Sequence, residues 1–222
     1  VAASLVSVGC SEDFLDPVRD TTELTTAEIA ENAEFNPALI EGSLEGIYSY
    51  MVEPFAVTGA GGSHYDFGHK SIDIWSDILS GDMALTANGY GWYQNTANLV
   101  STVDFTREEN RLIWNYYYKI VNISNNVIES LGGNDANPTT ASARHSLGQA
   151  KAARAYAYFY LAQIFQRVYD PSLPILPYYD GDVTNPAKVP ASQIYALILD
   201  DLNDAVVLLD GYSRDAKHKI NK

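Results

Sequence analysis

Apolar residues recur every three or four positions through most of this chain, the spacing that gathers them along one side of an α-helix. Asn36 and Pro37 form a cap and first-turn pair, and Ile40, Leu44, Ile47, Tyr48 and Met51 follow at helical spacing until Pro54. A glycine-rich stretch, TGAGGS, comes next. In HKSIDIWSDILS, residues 69 to 80, Ile72, Trp75, Ile78 and Leu79 share one side of a short helix that Gly81 ends. The clearest period spans residues 108 to 131, where Leu112, Tyr116, Ile120, Ile123, Val127 and Leu131 make a stripe closed by Gly132 and Gly133. Pro138, Thr139 and Thr140 open a further helix to about Arg167, with Leu147, Ala150, Ala153, Ala157, Leu161 and Ile164 as its stripe. Its small residues let another helix approach closely. The segment DPSLPILPYYDGDVTNPAKVP then holds five prolines in 21 residues, which excludes a regular helix and favours an extended, surface-packed connection. A last helix covers roughly 190 to 210 on Ile194, Ile198, Leu202, Ala205 and Leu209. Two long helices joined by a short Gly/Asn turn, then a third, predict an array of helical hairpins rather than a sandwich or an α/β sheet.

Composition fits one globular domain. The chain has 222 residues, 46% of them apolar and 12% aromatic, enough for a packed core. The 28 acids against 14 bases give a net charge of -14, and no run of Lys or Arg interrupts it, so nucleic acid is not an expected partner. The single cysteine, Cys10, cannot close an intramolecular disulfide, and His64, His69, His145 and His218 are scattered without ligating spacing. No metal or cofactor is expected.

The amino-terminal stretch VAASLVSVG is small and apolar. Its nine residues rise only about 14 Å as a helix, against a hydrocarbon layer of roughly 30 Å, so it does not span a membrane. Residues 1–9 read as the remnant of a secretory signal, with small Ser7 and Gly9 just ahead of Cys10. A cysteine directly after such a segment resembles a bacterial lipoprotein signal, although Ser7 stands where that pattern carries leucine. The resemblance makes Cys10 the lipidated residue. Residues 10–35, beginning CSEDFLDPVRDTTELTTAE, form a polar, acidic tether, and Glu12 and Asp13 resemble a signal for the outer face of the outer membrane.

Three segments carry a wider likeness. IWNYYYKIVNISNNVIE, GQAKAARAYAYFYLAQIFQRVYDPSLPILPY and SQIYALILDDLNDAVVLL, in this order after CSEDFLD, resemble the SusD/RagB family of nutrient-binding outer-membrane lipoproteins. The resemblance covers nearly the whole chain. It implies a mainly α fold, a SusD-like α/α superhelix of tetratricopeptide-like helix pairs with long irregular loops, over residues 36–222. It also implies a SusC-like TonB-dependent barrel transporter as partner, under a lipid-anchored, surface-exposed receptor. Members of the family usually continue past the point where this chain ends at RDAKHKINK, so the expected piece is an amino-terminal portion.

Capture of a neutral oligosaccharide requires flat aromatic faces for the apolar side of sugar rings, with amides and carboxylates near the hydroxyls. The loop LSGDMALTANGYGWYQNTANL offers Tyr90, Trp92 and Tyr93 together with the amide of Asn95. These four are the expected ligand-binding residues. Trp75 and Trp114 fall on helical stripes and are expected in the core, and one of Tyr116, Tyr117 and Tyr118 is expected to face out. Tyr178 and Tyr179 sit on the extended segment, where exposure competes with packing. Asp66, Asp73, Asp77 and Asp82 supply carboxylates of the type glycoside hydrolysis needs, yet an i, i+4 pair such as Asp73 and Asp77 is usually a solvated face. No nucleophile elbow, P-loop, dinucleotide fingerprint or zinc-protease pattern occurs, so the chain is expected to bind rather than catalyse. An oligopeptide ligand, or a scaffold gripping only a protein, are the other readings.

Overall fold

A computed structural model describes residues 25, 28, 29, 32, 38–59, 62–179 and 186–222. Cys10, the acidic residues beside it and the Asn36–Pro37 cap lie outside these. Six helices occur among the described residues: α1 (Ala38–Tyr50), α2 (His69–Ser80), α3 (Gln94–Ala97), α4 (Glu108–Ser130), α5 (Ala141–Phe165) and α6 (Ala191–Leu208). Two short strands, β1 (Pro174–Pro177) and β2 (Lys188–Pro190), complete the order between α5 and α6. The architecture is mainly α, as the periodicity predicts.

Helix α5 is the central element. It packs against α4 on one side and α6 on the other, while α1 rests on both α4 and α5. Gly148 explains how α6 comes so near: a Cβ there would stand 2.9 Å from the Leu209 Cγ and 3.0 Å from the Leu208 Cβ. Thr140 caps α5 by accepting a hydrogen bond from the Ala143 amide at 3.3 Å. Leu147, Ala150, Ala153, Ala157 and Leu161 are buried as their stripe requires. Ile164 and Leu202, expected in the stripes of α5 and α6, are exposed, and on α6 the inward place opposite Arg154 is taken by Asp201.

The tyrosines of α4 depart from expectation. None of the three faces out: Tyr116 and Tyr117 are fully buried, and half-buried Tyr118 donates to the Pro177 carbonyl at 3.0 Å. Helix α4 is covered on several sides at once. Tyr50 of α1 stacks on Tyr116 at 5.3 Å, Tyr160 of α5 stacks on Tyr117 at 5.5 Å, and the proline-rich segment crosses over Tyr118. That segment is more than a surface strap, since Ile175 and Leu176 are buried and β1 pairs antiparallel with β2, Leu176 facing Val189. Pro174, Pro177 and Pro190 stand at strand ends, where a missing N–H is tolerated. Tyr178 and Tyr179 are half-buried against Tyr158 and Tyr118.

One buried charge ties the layers together. Arg154 on α5 holds Asp201 of α6 through two 2.8 Å bonds, from Nε and Nη2. The same guanidinium donates to Asn125 of α4 at 2.9 Å and to Asn134 in the α4–α5 turn at 2.7 Å. A planar fork with five donors is suited to this, because a buried arginine is tolerated only when its charge and its N–H groups are met.

Candidate functional site

The loop between α2 and α4 carries the expected aromatic cluster and divides it. Tyr90 is 85% exposed and Trp92 37% exposed, with their rings stacked at 5.3 Å and 24°. His64, from a segment far away in sequence, stacks on Trp92 at 4.6 Å and 18°. Three near-parallel rings thus form a ladder at the surface, with Tyr90 the most open of them. Sequence reasoning did not include His64; its only signal was proximity to a glycine-rich turn.

Tyr93 and Asn95 go elsewhere. Tyr93 sits at φ 61°, a left-handed conformation that a non-glycine residue adopts only under constraint, and this reverses its ring relative to Trp92. The ring packs inward on Tyr65 at 5.6 Å and Trp75 at 5.9 Å, and burial pushes its phenol up to about 12. Asn95 donates its amide to Glu109 Oε1 at 3.1 Å. Expected beside the rings, this amide instead braces the base of the loop.

Three consecutive residues at the start of α4 position the whole surface. Glu108 Oε2 accepts from the Ser63 and Tyr65 hydroxyls, both at 3.0 Å, and so fixes the residues on either side of His64. The Tyr65 phenol is pushed up to about 12 mainly by burial, with the Ser63 hydrogen bond lowering it and Glu108 raising it. Glu109 holds Asn95, and Asn110 donates to the carbonyls of Ser101 and Asp104 at 2.9 and 3.0 Å. Beneath His64, buried Asp66 accepts from the Val57 and Thr58 amides at 3.0 and 2.7 Å and from the Thr58 hydroxyl at 2.8 Å. The ladder therefore rests on a preformed hydrogen-bonded base.

Of the four candidate carboxylates, Asp66, Asp73 and Asp82 are held by neighbours. Asp66 is consumed as described, Asp73 pairs with His69 at 3.2 Å and Lys70 at 3.6 Å, and Asp82 accepts from Ser80 at 2.8 Å. Among the described residues no group of three or more His, Cys, Asp or Glu is placed to hold a metal ion, and no helix is long and apolar enough to cross a membrane. Trp75 is buried as expected, while Trp114 is half-buried against Tyr118 and Phe165, packs against the core and also borders an open cleft.

A helical array with ringed loops has many possible histories, and comparison selects one. Residues 58–222 match the model of a SusD-like family described as "Starch-binding associating with outer membrane". The chain belongs to this SusD-like family. No curated protein matches it. Among solved structures, a SusD-like carbohydrate binding protein from Bacteroides vulgatus ATCC 8482 superposes with a TM-score of 0.68 at 28% identity, over 82% of this chain. The alignment spans 38% of that relative's length. The match takes in the ladder loop, the brace at the start of α4 and the Arg154 layer of this SusD-like chain, so the elements that build the surface all belong to the family's region.

Proposed function

We propose that this SusD-like protein captures an oligosaccharide on the ladder of Tyr90, Trp92 and His64 and passes it to an outer-membrane transporter. One observation carries the reading: large rings are stacked and held open to solvent on a braced loop, where folding alone would favour covering them. A pyranose presents a C–H face that lies flat on such a ring, and the exposed Tyr90 hydroxyl is within the same surface for its hydroxyl groups. Family membership and the carbohydrate-binding relative support the glycan as ligand class. The role is binding without catalysis: Asp66, Asp73 and Asp82 are held by neighbours, and the SusD-like relative is a carbohydrate binding protein.

The cellular setting follows the sequence. Acylation of Cys10 anchors the domain at the outer membrane, residues 10–35 act as tether, and a SusC-like TonB-dependent barrel receives the cargo. Labelled fatty acid incorporated into the wild-type protein of the native host but not into Cys10→Ala tests the anchor. Isothermal titration against neutral glycan and peptide panels tests the ligand. Glycan binding that falls about tenfold or more in Trp92→Ala and Tyr90→Ala, equivalent to at least ~1.4 kcal/mol, is the expected result. Binding of peptides alone, or full sugar binding by both variants, would remove the assignment.

A further inference from the structure

A second concave surface lies behind the ladder loop. It is a cleft of about 930 Å³, and none of Tyr90, Trp92 or His64 lines it. Its apolar walls come from Trp114, Leu79, Ile164, Val103 and Phe105, the last two almost fully exposed on the loop that precedes α4. The size is that of pockets that receive small organic molecules.

Three polar residues contribute to its lining from three different elements: Trp75 of α2, Thr96 of α3 and Glu109 of α4. They are 2%, 1% and 3% exposed, respectively. The Trp75 Nε1, Thr96 Oγ1 and Glu109 Oε2 atoms have no hydrogen-bond partner in the protein. A buried polar atom left without a partner costs about 1–3 kcal/mol, so three at one cleft mark a place where an incoming group would gain from meeting them.

Their chemistry selects the ligand. The indole N–H can only donate, a carboxylate oxygen accepts, and the hydroxyl does both. An ammonium group would satisfy Glu109 but has no lone pair for the indole. An anion would accept from the indole and meet Arg111 and Arg167 of the lining, yet it would set a second negative charge against Glu109. A neutral hydroxyl-bearing molecule meets all three, and the aromatic and aliphatic walls favour one with a C–H face. The geometry points to a second sugar site, taking a single neutral pyranose unit between Trp114 and Phe105 above Trp75, Thr96 and Glu109. The three polar atoms are themselves shielded from solvent, so binding requires a turn of the Thr96 or Glu109 side chain. The site rests on the glycan reading of the chain for its ligand class but not on the ladder for its contacts.

The test is a titration of neutral monosaccharides and oligosaccharides into the purified chain, followed by the three tryptophan indole N–H resonances. Addition of a monosaccharide is expected to move the Trp75 resonance. Thr96→Val and Phe105→Ala should each weaken this response about fivefold or more, a loss of ~1 kcal/mol or more, while Trp92→Ala changes it by less than about twofold. Phe105 is exposed, so its truncation leaves the fold intact and keeps the result interpretable. If oligosaccharide binding disappears in Trp92→Ala while both cleft variants bind normally, the cleft assignment is overturned and the ladder stands. A response confined to the cleft supports the second site and removes the ladder. Absence of any sugar response overturns both, and a response to simple amines in place of sugars overturns the ligand class.

Discussion

Glu108 is a positioning residue for the ladder because it touches Ser63 and Tyr65, not any exposed ring. Glu108→Ala frees the segment that carries His64, so the stack loses its order before ligand arrives and sugar binding must supply it. Affinity should fall about threefold to tenfold with the thermal midpoint nearly unchanged; Glu108→Gln, which still accepts from both hydroxyls, should lose much less. Equal losses in the two variants by calorimetry would argue for a charge effect instead. Arg154 acts at the same scale on stability. Removing it strands Asp201 in the interior and leaves Asn125 and Asn134 without their donor, so Arg154→Ala should cost about 3–5 kcal/mol in urea unfolding. Neither role was legible in the sequence. Arg154 interrupts an alanine-rich stretch and Glu108 reads as an ordinary first-turn acid, because their partners lie on other elements. The opposite facing of Trp92 and Tyr93 was equally hidden, since it depends on one left-handed residue that composition does not announce.

Between elements, His69 is the link that senses pH. Asp73 of the same helix stands 3.2 Å from its Nε2, which favours the ring proton there and leaves Nδ1 to accept from Tyr156 of α5 at 2.6 Å. Burial lowers the pKa of His69 below its ordinary 6.5, with Asp73 pulling it up and Lys70 pushing it down. The unfolded chain therefore takes up this proton first as pH falls. The stability contributed by the neutral ring is fully present above about pH 6.5 and is lost as pH drops through the lowered folded value. Urea midpoints measured from pH 7.5 down to 5 should decline in the wild type, and His69→Gln should remove the part of the decline that begins near pH 6.5. Superimposable pH profiles would refute the link. At this scale the chain was largely readable: α1, α2, α4, α5 and α6 follow from a period of three to four with glycine or proline at the ends. The four-residue α3 and the β1–β2 pair were not, because segments that short have no period. Ile164 and Leu202 continue their stripes in sequence, yet both are exposed, and on α6 the inward place opposite Arg154 belongs to Asp201, one residue before Leu202.

The whole molecule joins a rigid helical array to a surface assembled from segments around residues 64, 92 and 108, so its fold class was legible while the composition of its site was only partly so. Residue type alone marked Tyr90 and Trp92, whereas His64 becomes a neighbour of Trp92 only after α2 and α4 have brought the two loops together. Net charge is the one site property that operates over the entire chain. At -14, the protein surrounds the ladder with a field that disfavours an anionic glycan and is indifferent to a neutral one. For two oligosaccharides of the same length, one neutral and one carrying uronate or sulfate groups, the acidic ligand should bind more weakly at low salt. Raising the salt from about 0.1 M to 1 M shortens the screening length from about 10 Å to about 3 Å, so the gap should narrow. The neutral ligand should bind alike at both concentrations, because ring stacking and hydroxyl contacts carry no net charge. An acidic glycan that bound more tightly at low salt, and lost affinity as salt rose, would mean that local cations, such as Arg111 and Arg167 of the cleft, govern recognition in place of the overall field.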